Sequence, residues 1–296
     1  MTEPPASPDA SGVTAARLAA KGPRIRWATL PWWAFILVAI GLLLIFLILE
    51  APNYRETFKY LTAGMVVTLR ITVASYLIAT LIGLFTGLAR TAKNPVAFTI
   101  ATLYVEAVRG IPLIVLMLYV AFVIVPMAAG VLRSIGSWAL TLGPTGGLAD
   151  FLTAMSEVTS RQVKLEARAI IALAFGYGAY EAEIFRAGIQ SIGRGQMEAA
   201  RSLGMTYAQA MLRVILPQAI RRVLPPLGND FIACLKDSSL ATVLAVNELT
   251  QLGRLRRAST FRVFETFNVL TFLYLSMTLA LSGLVRVIER KMKFEE

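Results

Sequence analysis

The sequence predicts an all-α integral membrane protein with about six transmembrane helices. The composition is 56% hydrophobic and 16% charged, with mean hydropathy +0.65. Soluble domains run at roughly 45–50% apolar and about 25% charged. The apolar residues also collect into runs near the length of about 20 residues that crosses a bilayer, separated by polar, basic connections. The net charge is +11. In a soluble protein that would raise nucleic-acid binding; between membrane spans, basic cytoplasmic loops and contact with anionic lipid explain it better. A single cysteine, Cys234, excludes an intrachain disulfide, and the absence of histidine excludes imidazole zinc sites and Ser-His triads within the chain.

Residues 1–29 read as a disordered, solvated tail rich in Ala, Pro and Ser, with a basic flank at Arg17, Lys21, Arg24 and Arg26. The uncharged run Pro31 to Leu49, opened by Trp32 and Trp33, predicts an extra N-terminal transmembrane helix over residues 30–50. An uncleaved anchor fits better than a signal peptide, because the run is long and no small-residue cleavage site follows. Ile71 to Ala89 is the second span, starting as early as Gly64, with Arg70 near the outer interface and Arg90 and Lys93 on the inner side. Pro95 opens the third. It carries Glu106 and Arg109, breaks at Gly110 and Pro112, and stays apolar to about Pro126. We count it as one broken membrane helix, Val96 to about Val125; a surface helix followed by a short span is the alternative. Pro126 to Glu166 reads as an external loop with a short helix near Leu148 to Val158. Ala167 to Ile189 is the fourth span, residues 191–223 form a polar island, Leu224 to about Leu252 is the fifth span, and Phe267 to Ile288 is the sixth. Arg290, Lys291 and Lys293 end the chain. Six spans put both termini on one side, and the distribution of Lys and Arg favours the inside. Arg254, Arg256, Arg257 and Arg262 fall on the outer side and run against that rule.

The island predicts two short helices with a defined bend. Glu198 is expected near the start of the first, where a carboxylate suits the positive end of the dipole. Gly204 stands where a C-terminal cap needs positive φ. Thr206 and Gln209 have capping-box spacing, so a second helix starts there. Pro217 is expected to end or kink it.

Ionisable groups inside spans face a pathway or a partner. On the fourth span these are Arg168, Glu181, Glu183 and Arg186. Glu183 and Arg186 are spaced to pair, whereas Glu181 has no partner at i+3 or i+4. Gly176 and Gly178 suit close helix packing. On the fifth span Asp230 and Asp237 share a helix face, and Glu248 returns near it. That stripe is either a polar helix–helix seam or the wall of an aqueous route. Glu106 and Arg109 are read as a structural pair.

The segment Glu198-Ala199-Ala200-Arg201-Ser202-Leu203-Gly204, closing at Leu216-Pro217-Gln218, resembles the cytoplasmic coupling loop of ABC-importer permeases. Tyr104 to Leu113, Gly178 to Gln190 and Leu235 to Leu240 extend the resemblance, in order, toward the polar amino-acid uptake permeases. It runs from about Leu61 to the C-terminus; many relatives have Thr where Ser238 stands. The resemblance implies a five-helix type I ABC-importer permease core over residues 61–290, following the extra N-terminal helix and including the coupling loop at 191–223. It implies ATPase coupling through Glu198, Ala199, Ala200, Arg201, Gly204 and Pro217. It further implies a substrate pathway along Arg109, Glu181, Glu183, Lys236, Asp237, Ser238 and Ser239.

An amino acid needs acceptors for its ammonium and donors for its carboxylate. Glu181 or Asp237 suits the first; Arg109, Lys236 or helix-end amides suit the second. The expected partners are ABC ATPase subunits, an external or periplasmic solute-binding protein, a second permease chain in a homodimer or heterodimer, membrane lipid and an amino-acid substrate. Nucleic acid is not expected. The expected location is a bacterial cytoplasmic (inner) membrane, multi-pass, with both termini cytoplasmic. No Gly-x-x-x-x-Gly-Lys-Ser/Thr loop occurs, so no cofactor is expected in this chain, and ATP and Mg belong on the partner ATPase.

An ion-coupled secondary amino-acid transporter, with Asp230 or Asp237 as coupling carboxylate, is the alternative. It leaves the amphipathic island without a task. A DNA-binding helix-turn-helix at Ala200 to Leu216 is disfavoured by its confinement between spans.

Overall fold

The computed structural model describes residues 32–292, and the secondary structure described there is helical throughout. The expected tail at 1–29 and Lys293 lie outside the described residues. The chain divides into two units, Met1–Phe46 and Leu47–Glu296. Helix α1 (Trp32–Glu50), most of which belongs to the first, is apolar on every side, the pattern of a lipid-facing helix.

The second unit opens with α2 (Pro52–Ala89), a single helix of 38 residues with Pro at its start. It begins well before Gly64. The extra turns are amphipathic rather than lipid-facing: Tyr54, Phe58 and Leu61 pack with Leu249, Leu270 and Leu273 in one of the apolar cores. One face of α2 buries Thr72, Ser75, Ala79, Gly83 and Gly87. Small residues let membrane helices approach closely, and α2 makes its largest helix contact here, with α6 (Leu165–Gln190). A β-carbon at Gly83 would lie 2.7 Å from Cβ of Glu181, and one at Gly87 2.8 Å from Cβ of Phe185.

Helix α3 (Pro95–Arg109) is capped by Asn94, whose side chain accepts from the amides of Val96 and Ala97 at 2.9 and 3.2 Å. After Gly110–Pro112, α4 (Leu113–Leu140) is long and apolar enough to cross a membrane by itself. It runs straight through Pro126, so the expectation of a loop from Pro126 is corrected: the connection begins at Thr141. The reason is a π-turn at Val120–Ile124, in which the Val125 amide donates to the Val120 carbonyl. That shift frees the Ala121 carbonyl, which Pro126 has no N–H to serve. Arg168 serves it instead, at 2.9 Å, and also donates to the carbonyls of Val163 (3.0 Å) and Ser160. The Arg168 charge in α6 is thus a staple for irregular backbone. Helix α5 (Gly147–Ser156) follows, close to the short helix expected near Leu148.

After α6 come α7 (Arg194–Ser202) and then α8, a continuous helical stretch over 207–237. Pro217 neither ends nor breaks it. A second π-turn, Met211–Ile215, precedes Pro217 as the first precedes Pro126, with the Leu216 amide donating to the Met211 carbonyl. The fifth span expected to reach Leu252 is interrupted after Asp237. A 3₁₀ segment, Ser238–Leu244, leads to Ala245 in the left-handed region (φ 55°), and α9 (Leu249–Thr260) starts anew. Glu248 is the N-cap of α9: its carboxylate accepts from the amides of Thr250 and Gln251 at 2.8 and 2.7 Å and from the Tyr274 hydroxyl at 3.1 Å. The expected stripe Asp230–Asp237–Glu248 is therefore not one helix face. Helix α10 (Val263–Met292) closes the fold, its segment Val263–Arg290 apolar enough to span. Helix α6, which carries Glu166, Arg168, Glu181, Glu183 and Arg186, is also extensively enclosed, burying Ala169, Leu173, Tyr177, Glu181 and Phe185.

Candidate functional site

The island forms as a rigid two-helix element. Gly204 has φ 82°; its amide donates to the Arg201 carbonyl at 3.0 Å and the Met205 amide to the Ala200 carbonyl at 3.2 Å. This pair of bonds is a Schellman ending, which needs a residue that tolerates positive φ. The capping box forms as spaced: the Gln209 amide donates to the Thr206 hydroxyl at 3.2 Å, and the Thr206 amide to the Gln209 side chain at 2.9 Å. Glu198 is not at the start of α7; it stands past the first turn, exposed, and that turn holds no acidic residue. Ala199 and Arg201 are exposed as well, while Ala200 is buried. Ile189, Ile192, Ile215 and Ala219 form one core with Leu88, Met197 and Met211. Arg222 donates to the Ser191 carbonyl at 2.6 Å. The two-helix element is thus packed onto the ends of α2, α6 and α8.

At the same end the charges form a network across three helices. Arg90, at the end of α2, pairs with Glu183 at 2.7 Å and with Glu106 at 3.2 Å, and Glu183 also pairs with Arg186. The expected pair of Glu106 with Arg109 is corrected: Arg109 lies over the Tyr180 ring, 5.8 Å from its centroid. At the opposite end, Arg70 and Glu166 pair at 2.6 Å.

The remaining pathway candidates point in different directions. Glu181 is fully buried against Gly83, and neither carboxylate oxygen has a hydrogen-bond partner among the described residues. The nearby Thr80 hydroxyl donates to the Tyr76 carbonyl at 2.9 Å. Asp237 accepts from the Tyr177 hydroxyl at 2.7 Å, a cross-helix partner that same-helix spacing does not reveal. Ser238 is buried and donates to the Leu235 carbonyl at 2.8 Å. Lys236 and Ser239 line an open cavity of about 410 Å³, shared with Thr250, Thr271, Tyr274 and Thr278, that Asp237 does not line. The Lys-Asp-Ser-Ser segment therefore serves two faces, because adjacent residues of a helix point about 100° apart.

Three tyrosines join this region without having been singled out by sequence. Tyr76 donates to the Leu227 carbonyl at 2.5 Å, Tyr104 to the Phe175 carbonyl at 2.6 Å, and Tyr177 to Asp237. Their position inside spans, away from the interfaces where Tyr is usual, was the available signal. Gly176 and Gly178 are packing sites: β-carbons there would meet Leu113 Cδ1 at 2.5 Å and Ile82 Cγ2 at 2.8 Å.

Residues 79–294 match the family described as "Binding-protein-dependent transport system inner membrane component". The chain is 36% identical over 233 residues to the glutamine transport system permease protein GlnP of Escherichia coli strain K12, covering 79% of this chain and 93% of that protein. It is 33% identical over 234 residues to the nopaline transport system permease protein NocM of Agrobacterium fabrum, covering 79% and 88%. Among solved structures, an amino acid ABC transporter crystallised with histidines superposes with TM-score 0.62 at 34% identity, covering 82% of this chain and 97% of that one. The MetNI methionine ABC transporter in an inward-facing form superposes with TM-score 0.59 at 20% identity, covering 79% and 97%, a likeness of fold alone. With its all-α membrane fold, the chain belongs to the binding-protein-dependent transport system inner membrane components, the permease subunits of ABC importers.

Proposed function

We propose that the chain carries polar amino acids inward across a bacterial cytoplasmic membrane, driven by ATP hydrolysis on a separate ATPase subunit. The observation that carries this reading is the coupling element: a capped, bent helix pair whose core is continuous with the ends of α2, α6 and α8. A push on α7 is transmitted to the two helices that hold Glu181 and Asp237. ATP binding drives the cycle if the ATP-bound partner favours one state of the pore, since only differential affinity shifts such an equilibrium. The exposed residues Glu198, Ala199, Arg201 and Gly204 form the docking face, and Ala200 and Pro217 set its shape. The loops at the opposite end receive a solute-binding protein, a second permease chain completes the route, and both termini are cytoplasmic. The transport domain occupies 61–290. Relatives named for glutamine and nopaline transport support an amino-acid substrate. Family membership disfavours a secondary carrier.

Asp237, held by Tyr177, suits a substrate ammonium, and Lys236 with Ser239 suits a carboxylate. Proteoliposomes holding the permease, its ATPase and the binding protein test the whole reading. ATP-dependent uptake of a labelled polar amino acid, competed by others of its class, is expected. Uptake driven by an ion gradient without ATP would overturn it.

A further inference from the structure

The turn between α2 and α3, residues 90–94, and the coupling helices enclose two adjoining open cavities of about 780 and 590 Å³. Arg90, Lys93 and Arg194 line the first, and Lys93 and Arg201 the second; no carboxylate lines either. The acids on the surrounding helices are absent from both linings. Glu183 and Glu106 are paired with Arg90, and Glu198 is exposed on α7. Lys93 and Arg194 are exposed and take part in no ion pair among the described residues. The Arg90 side chain is only 10% exposed, and its Nε donates to nothing among the described residues. The N-terminus of α7 borders the same space, with Gly193 as an N-cap that offers no side-chain acceptor. The Gln196 amide donates to the Gly193 carbonyl at 3.0 Å, and the positive end of the helix dipole adds to the cations there.

The rest of the lining says what the anion is attached to. Ile189, Ile192, Met197, Met211 and Ile215 make the first cavity half greasy. A third, apolar groove of about 440 Å³ runs between α2 and α3 and reaches Ala89 and Ala97, on either side of the turn that carries Lys93. Small soluble anions have no use for such a groove; a lipid acyl chain does.

We propose that this cavity binds the phosphate headgroup of an anionic membrane lipid, with an acyl chain along the α2–α3 groove. Lys93 and Arg194 are its phosphate contacts. Because the headgroup then bridges the α2–α3 turn and the first turn of α7, it fixes the coupling element relative to the transport helices. That regulatory consequence rests on the functional reading above, whereas the binding itself does not.

The test uses the purified full chain in detergent, without ATPase, followed by native mass spectrometry with phosphatidylglycerol, phosphatidylcholine and inorganic phosphate. Phosphatidylglycerol is expected to be retained in preference to phosphatidylcholine. Lys93→Gln combined with Arg194→Gln should weaken its binding by roughly thirtyfold, from two surface cations. Lys93→Arg should leave it within about twofold, since the charge remains. Arg254→Gln with Arg257→Gln, at the other end of the bundle, should not change it. Equal retention of the two lipids, or equal losses from both double variants, overturns the site. Displacement of phosphatidylglycerol by millimolar inorganic phosphate assigns the cavity to soluble phosphate and overturns the lipid. Failure of ATP-driven uptake with intact lipid binding would count against the transport reading instead.

Discussion

Glu181 and Asp237 occupy the two helices joined by the coupling element, yet their surroundings differ. Asp237 has a hydroxyl donor; Glu181 has none among the described residues and sits against the backbone of α2. Glu181→Gln keeps the shape and removes the charge. If the carboxylate opens onto substrate in another state of the cycle, uptake falls while the melting temperature in detergent holds or rises. Unchanged uptake of every substrate makes Glu181 a packing residue. For the Tyr177–Asp237 bond, a double-mutant cycle of Tyr177→Phe and Asp237→Asn should give a coupling of about 0.6 kcal/mol, the usual size in a membrane interior; zero coupling would mean the contact is incidental. Gly83 packs directly against Glu181 in the same region. Gly83→Val places carbon 2.7 Å from Cβ of Glu181 and 3.1 Å from the Ala182 amide nitrogen, neither of which swings aside. The expected cost is about 1–3 kcal/mol, read as a lowered melting temperature beside Gly283→Ala, which meets nothing within 4 Å.

At the scale of elements, the coupling pair is shaped by one glycine and the π-turns by two prolines. Gly204 has open space around it, so a larger residue meets no neighbour, and the penalty is conformational, about 1–2 kcal/mol for a left-handed residue. Gly204→Val should uncouple ATP hydrolysis from transport while the chain still inserts, and Gly204→Asn should be milder because Asn tolerates that region. Normal substrate-stimulated ATPase activity and uptake in the Val variant would remove Gly204 from the mechanism. The π-turn before Pro126 depends on Arg168. Arg168→Met leaves the carbonyls of Ala121, Val163 and Ser160 without their donor. Each lost partner costs about 1–3 kcal/mol when buried, so thermal unfolding should move down sharply; a shift no larger than that of a surface substitution would show that water replaces the guanidinium.

For the whole molecule, the pairings order the two ends of the bundle. Arg70–Glu166 and Arg256–Glu56, at 2.6 and 3.2 Å, mark one end, and the Arg90 network with the coupling helices marks the other. In a Cys234→Ala background, Gly147→Cys should react with an impermeant external thiol reagent, and Arg194→Cys only after the membrane is opened. The reverse pattern would invert the orientation and with it the coupling reading. The arginines at 254, 256, 257 and 262 oppose the positive-inside trend. Two of them are tied to Glu56, at 3.2 Å from Arg256 and 3.5 Å from Arg262, which leaves a smaller exception than the sequence count suggests.

By itself the sequence determined the class of the protein and the capped two-helix form of the island at 194–210. Long apolar runs and cap chemistry are read along the chain: Gly204 requires positive φ, and the side chains of Thr206 and Gln209 accept from each other's backbone amides. Such local rules also placed α6 and the helix near Leu148. Only the tertiary structure decided what the membrane charges do. Arg90 takes Glu106 from Arg109, Tyr177 reaches Asp237, and Arg168 answers a carbonyl in a distant helix. It also decided that Pro126 and Pro217 are passed rather than obeyed, and that Glu248 caps a new helix instead of extending an old one. In a bundle the partners of a polar group come from neighbouring helices, and spacing along one helix reports only that helix.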